Sequence, residues 1–287
     1  DHSISEDACL TGVNFTVSDI EFSNLLVTAN SSNPTLVNIS NIKFSGIGNS
    51  RSISLTPGSN ETGIAIISVS VSDGDLTATT AFNLTVTEIN DAPTISDIVD
   101  QTIDEDTALT KISFTVSDIE NSNLVVSGRI SNLTLVNNLI IEGTGVNRTL
   151  SLTPTNNENG TALITLSVTD GELTATTSFA LTVNAVNDSP IISSIANQTI
   201  DEDSSLTQIS FTVSDIDSLN LMVSACSSNP TLVNNTSIII TGDMLSLTPT
   251  ANENGVAIII LSVTDGELTA TTSFMLTVTS INDAPVI

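Results

Sequence analysis

Apolar and polar residues alternate with a period of two through most of the chain. Ile112, Phe114 and Val116 are interleaved with Ser113, Thr115 and Ser117, and Ile164, Leu166 and Val168 with Thr165, Ser167 and Thr169. Phe179, Leu181 and Val183 follow the same rule. Such alternation marks strands with one face turned to a core and one Ser/Thr face turned to water. No stretch carries a helical period. Over the middle of the chain the pattern predicts seven strands, near 94–103, 109–117, 123–129, 133–141, 148–153, 161–169 and 173–185. Asp170-Gly171, between the last two, and Asn159-Gly160, before the sixth, tolerate the positive φ that tight turns require.

The pattern repeats. Ile-Ser-Glu-Asp at 4–7 returns as Ile-Asp-Glu-Asp at 103–106 and 200–203. Each is followed by Phe-Thr-Val-Ser-Asp-Ile, starting at Phe15, Phe114 and Phe211. Asp-Gly followed by an acidic residue, Leu, Thr, Ala, Thr and Thr begins at Asp73, Asp170 and Asp265. The repeating unit is about a hundred residues long, which suits an independent β-sandwich better than a solenoid turn of about 20–50 residues. The expectation is an all-β chain of three tandem seven-stranded β-sandwiches, arranged head to tail as a rod. Its units would be 1–90 with a truncated first strand, 91–187, and 188–287 with the start of a further linker. Asp1 aligns with Asp100 and Ile287 with Ile95, so the segment is cut inside a repeat. Two arrangements satisfy this: a longer parent chain, or neighbouring chains that complete each other's first strand.

Composition narrows the function. The chain has 32 acidic residues against 5 basic ones, a net charge of -27, one His and neither Trp nor Tyr. Such a surface repels nucleic acid and anionic lipid. No apolar run approaches the roughly 20 residues that span a bilayer, so no membrane insertion is expected in this segment. A single His, His2, supplies neither a triad nor a zinc site. Without Trp or Tyr the usual stacking platforms for sugars are missing. Paired carboxylates in loops with no aromatic-lined pocket do not read as a glycosidase. Cys9 and Cys226 fall at non-equivalent positions and read as small incidental residues.

The acidic residues fall into a pattern once the strands are placed. In a seven-stranded sandwich the loop after the second strand and the last hairpin share one end. In the middle copy these carry Asp118, Glu120 and Asp170. The opposite end carries Glu105, Glu158, Asn187 and Asp188. Head-to-tail stacking would bring Glu105, Glu158, Asn187 and Asp188 to Asp215, Asp217 and Asp265. The preceding junction would bring Glu6, Glu61, Glu88, Asn90 and Asp91 to Asp118, Glu120 and Asp170. So many carboxylates need a counter-charge that five basic residues cannot supply. Oxygen donors without His or thiolate suit Ca²⁺, which takes 6–8 oxygens.

Val-Thr-Asp-Gly, a Thr-rich strand and Val-Asn-Asp-Ser-Pro at 168–190 resemble the end of a cadherin repeat. Glu-Asp at 105–106 and Ser-Asp-Ile-Glu at 117–120 are similar to its beginning. All three copies resemble the cadherin-like, Ig-like tandem repeats of large bacterial surface proteins and adhesins. The resemblance implies calcium ligands at the same junction residues. It also implies fewer or weaker ions where Glu88 gives way to Ala185 and Ser280, and where one Glu such as Glu158 stands for an acidic pair. The function it implies is a non-catalytic extracellular or cell-surface adhesion and structural rod, stiffened by calcium, its partners being neighbouring repeats or copies of itself. The competing readings are a self-assembling filament subunit completed by strand exchange, and a carbohydrate- or ligand-binding module.

Overall fold

The computed structural model describes residues 1–22 and 24–282. The linker residues 283–287, expected to open a further repeat, lie outside the described residues. The first copy contains β1 (His2–Ser5), β2 (Leu10–Thr16), β3 (Leu26–Ser31), β4 (Ile42–Ser45), β5 (Ser50–Leu55), β6 (Gly63–Ser72) and β7 (Thr77–Thr87). The second contains β8 (Thr94–Ile95), β9 (Gln101–Asp104), β10 (Leu109–Ser117), β11 (Val125–Ile130), β12 (Ile140–Glu142), β13 (Asn147–Leu152), β14 (Gly160–Thr169) and β15 (Thr174–Asn184). The third contains β16 (Ile191–Ile192), β17 (Gln198–Asp201), β18 (Leu206–Ser210), β19 (Val213–Ser214), β20 (Met222–Ser227), β21 (Ile238–Thr241), β22 (Met244–Leu247), β23 (Gly255–Thr264) and β24 (Thr269–Thr279).

The second copy pairs its strands in the orders β12-β13-β10-β8 and β11-β14-β15-β9. The first strand expected at 94–103 is therefore two strands. β8 runs antiparallel to β10 in one sheet and β9 runs parallel to β15 in the other. Between them the chain crosses the end of the sandwich, and Ile98, 8% exposed, plugs the core there. The strand expected at 133–141 is a second correction. Leu135 and Val136 are buried, but in a turn that Asn132 caps by accepting from Leu135 N. The strand itself is only Ile140–Glu142. An apolar run that plugs a core from a turn has the same composition as one that does so from a strand.

Period two survives as burial. Along β14 the residues Ala162, Ile164, Leu166 and Val168 are buried. They pack with Phe114, Leu150, Phe179 and Leu181 in one core, and equivalent residues form a separate core in each of the other copies. Each second strand carries the same irregularity. Its register slips between Leu10 and Val13, Leu109 and Ile112, and Leu206 and Ile209. The extra residue, Gly12, Lys111 or Gln208, sits at positive φ.

The first copy differs in one respect. Its sheets are β1-β7-β6-β3 and β2-β5-β4. No described strand pairs with β2 as β8 pairs with β10.

Candidate functional site

Both ends of each sandwich are shaped by carboxylates that hold backbone. At the trailing end, Glu6 and Glu105 are each 5% exposed. Glu6 accepts from Ile89 N at 2.6 Å and Glu105 from Val186 N at 2.6 Å, fixing the chain as it leaves the last strand. Glu202 does the same for Ile281 N at 2.7 Å. The neighbouring Asp7, Asp106 and Asp203 turn at φ near 60° and accept from Asn60, Asn157 and Asn252 N. Asp is among the few residues that tolerate this conformation.

At the leading end, Asp118 Oδ1 accepts from Glu120 N at 3.0 Å and Asn121 N at 2.7 Å. Asp215 Oδ1 accepts from Asp217 N and Ser218 N in the same way. Asp170 and Asp265 hold their hairpins through Glu172 and Leu173 N, and Glu267 and Leu268 N. Asn121 Nδ2 donates to Asp170 O at 2.9 Å, tying the two loops together. Each Asp thus spends one oxygen on its own loop.

The junctions use what is left. Asn90 Nδ2 donates to Asp170 Oδ2 at 2.8 Å, and Asn187 Nδ2 to Asp265 Oδ2 at 2.8 Å. Asp91 N donates to Glu120 Oε2 at 3.2 Å, and Asp188 N to Asp217 Oδ2 at 2.7 Å. The two linkers therefore dock by one scheme: the Asn side chain on the last hairpin, the Asp backbone on the loop after the second strand. Glu61, Glu88 and Glu158 are not drawn into these bonds. Glu88 and Glu158 are exposed and Glu61 is half-buried. Asp106 and Asn121 belong to the junctions although spacing did not single them out. The Glu-Asp dipeptide was the available signal for Asp106.

Electrostatics separates the acids into two groups. The Asn90 amide, then the N–H groups of Glu172 and Leu173, hold the Asp170 carboxyl below its ordinary pKa. Asn187, Glu267 and Leu268 do the same for Asp265. Asp188 is pushed the other way. Partial desolvation is the main cause, followed by the negative charges of Asp217, Asp106, Glu105 and Asp215. The Oδ2 atoms of Asp118, Asp188 and Asp215 are buried with no hydrogen-bond partner. A buried carboxylate oxygen without a donor carries an uncompensated desolvation cost. That is the environment an oxygen-seeking cation relieves. Among the described residues, no three acidic side chains already form a group fit to hold a metal ion.

No curated protein matches the chain. Among solved structures, the protocadherin gamma B2 extracellular cadherin domains 3–6 align with 96% of this chain and 70% of their own, at 15% identity and a TM-score of 0.49. Mouse protocadherin-24 EC1-3 aligns with 97% and 96%, at 15% identity and a TM-score of 0.43. An endo-fucoidan hydrolase of glycoside hydrolase family 107 aligns with 98% of this chain at 17% identity and a TM-score of 0.33. The chain spans only 43% of that hydrolase's length, and 60% of the human desmocollin-1 ectodomain's. A family model described as bacterial Ig domain matches residues 90–184 and again 187–279. Two matches in tandem cover more than half of the sequence, and the chain belongs to the bacterial Ig domain family.

Proposed function

We propose that the chain is a non-catalytic extracellular rod, a spacer or adhesion stalk whose repeats 1–90, 91–187 and 188–287 are stiffened by Ca²⁺ at their junctions. The observation that carries this reading is the set of buried, unpartnered carboxylate oxygens on Asp118, Asp188 and Asp215. They face a shortage of cations that the protein's own five basic residues do not relieve. At the first junction Asp118, Glu120, Asp170, Asn90, Asp91 and Glu6 would hold the ion, with Glu61 and Glu88 in reserve. At the second, Asp215, Asp217, Asp265, Asn187, Asp188, Glu105 and Glu158 would do so. Calcium supplies positive charge and a wide oxygen coordination shell. The protein supplies two loops already shaped by their own Asx-type bonds and a linker hydrogen-bonded to both.

The acids are not yet gathered into a metal-sized group, so binding would draw linker and loops together. Occupancy and stiffness are then the same event, worth about 2.7 kcal/mol at a hundredfold excess over Kd. Membership of the bacterial Ig domain family supports a structural role at the cell exterior. No described helix is long and apolar enough to cross a membrane.

The test is small-angle scattering and calorimetry with calcium or a chelator. The maximum dimension should shrink and the interdomain scattering broaden on chelation, while each sandwich stays folded. Asp215→Asn combined with Asp217→Asn should loosen the second junction alone. An unchanged profile together with no calcium heat would reduce these residues to solvated loops.

A further inference from the structure

The five cations of the chain are not spread evenly. Lys43 and Arg51 lie on β4 and β5, and Lys111 and Arg148 on β10 and β13. The strands of the two sheets concerned, β2-β5-β4 and β12-β13-β10-β8, carry Glu142 as their one acid. In a chain of net charge -27 these sheets are locally basic. Arg51 and Arg148 hold the same place in their units, the first paired with Phe15 and the second with Phe114. Arg148 is 8% exposed. Its Nη1 donates to Gly145 O and Asn147 O, main-chain groups of its own hairpin. The Nη1 of Arg51 is buried with no partner. Among the described residues no carboxylate hydrogen-bonds either guanidinium. A guanidinium held out of water without a counter-charge is costly, and an anion relieves that cost.

Each of these arginines lines a hollow, of about 500 Å³ in the first copy and about 520 Å³ in the second. The walls correspond residue for residue. Phe15, Thr16, Gly46, Ser50, Arg51 and Ser52 in the first match Phe114, Thr115, Gly143, Asn147, Arg148 and Thr149 in the second. Gly46 and Gly143 stand at φ of 96° and 102°, and a Cβ on either would collide with Ser50 O or Asn147 O. Glycine at this point lets the hairpin close tightly beside the arginine. In the second copy Ser96 also lines the hollow and β8 is paired with β10, so the hollow belongs to the complete unit. The third copy departs from both. Ser-Leu-Thr-Pro at 54–57, 151–154 and 246–249 puts Asp243 at the arginine position. Its hairpin turns directly between the paired residues Thr241 and Met244.

We infer that the Arg51 and Arg148 hollows each bind an organic carboxylate, and that the third copy has no such site. The planar fork of a guanidinium matches a carboxylate through two parallel N–H···O bonds. The hydroxyl groups of Thr16, Ser50 and Ser52, and those of Thr115 and Thr149, belong to the same hollows and are further donors. The negative field of the whole chain opposes a multiply charged anion such as phosphate more steeply than a singly charged one. The room exceeds a lone carboxylate, so the group arrives on a larger body. That body is a free organic acid or the Asp or Glu side chain of a second copy, and the recognition chemistry is the same for both. The site stands independently of calcium at the junctions.

Nuclear magnetic resonance of the full chain in chelator tests this, with sodium acetate as the probe and sodium chloride at equal ionic strength as the control. Acetate should shift the Nε–H signals of Arg51 and Arg148 to saturation and leave Arg129 unmoved, and chloride should move none of them. Arg148→Lys keeps the charge and removes the fork. It should weaken acetate binding in the second copy about tenfold or more, read from the Thr115 and Thr149 amides, while the Arg51 response persists. Arg51→Gln should abolish the response of the first copy and spare that of the second. Shifts that also grow with protein concentration alone, and that acetate reverses, identify the acidic side chain of a second copy as the source. Shifts that need acetate identify a free acid. Identical behaviour in acetate and chloride overturns the inference, and so does an Arg148→Lys variant that binds acetate as well as the parent.

Discussion

Phe15 and Phe114 occupy the same place in the same motif, Phe-Thr-Val-Ser-Asp-Ile-Glu, and meet different surroundings. Phe114 is 3% exposed, whereas Phe15 is only half-buried. Phe179 and Phe82 differ in the same sense, and so do Val168 and Val71. Nothing within the motif accounts for this. What differs is the short strand β8 and the crossing that follows, which put Ile95 and Ile98 over one end of the second copy. In the first copy the exposed side of Phe82 is met instead by the His2 ring, edge-on at 5.4 Å. Burial of a motif's own residues is thus decided by the linker before it. A tandem array couples its units through the core as well as through the junction.

The largest test of this difference is deletion of the two rings. Phe114→Ala should cost the second copy roughly 3–5 kcal/mol, the range for a buried ring. Phe15→Ala should cost clearly less, because its ring already meets water and a cavity is already beside it. Denaturant unfolding followed by hydrogen exchange in β10 and β2 separates the two. Equal losses would mean that the linker does not govern the core.

A smaller change should make the second copy resemble the first. Ile98→Ala opens the end of the second core without touching the motif, at a cost of roughly 2 kcal/mol, the low end for a side chain that retains some exposure. The amides at the end of β10 should then exchange at rates nearer those of β2. If stability falls but exchange stays slow, the loss is only a local cavity and the coupling argument fails.

The all-β character, the repeats and the grouping of acids at the two ends were readable because each rests on local chemistry. Alternation shows which face is buried, and Asp-Gly shows where a hairpin turns. Less could be read where one residue type serves two structures. Leu135 and Val136 fill the core from a turn, and their apolar run is indistinguishable from a strand by period. The first strand divides between two sheets, which alternation cannot show because both halves alternate. At the site, Asn90, Asn187, Asp170 and Asp265 were placed at the junctions from topology, and the structure adds their pairing. That Glu6 and Glu105 bond to the backbone of their own linker was not readable. That bond depends on the parallel pairing of the strand before each Glu with the last strand, which spacing does not encode.

The smallest expected effect concerns the bulge in the second strand, where the three copies carry three different residues. Gly12, Lys111 and Gln208 stand at φ of 70°, 57° and 58°. In each case the N–H donates to a Ser hydroxyl on the partner strand, Ser54, Ser151 or Ser246. The geometry is therefore shared and only the side chain changes. An L-residue in this conformation costs about 1–2 kcal/mol. Glycine avoids that strain but loses about 0.4–1 kcal/mol through its freer unfolded chain. The balance favours glycine, so Gln208→Gly should stabilise the third copy by roughly 0.5–1 kcal/mol. Lys111→Gly should gain less, because it also removes one of only five cations from a chain of net charge -27. The reverse change, Gly12→Gln, meets no atom within 4 Å of the added Cβ, so any loss in the first copy is backbone strain alone. Thermal unfolding of the three variants decides the matter. A stabilising Gly12→Gln would show that the bulge gains from its side chain more than the left-handed backbone costs.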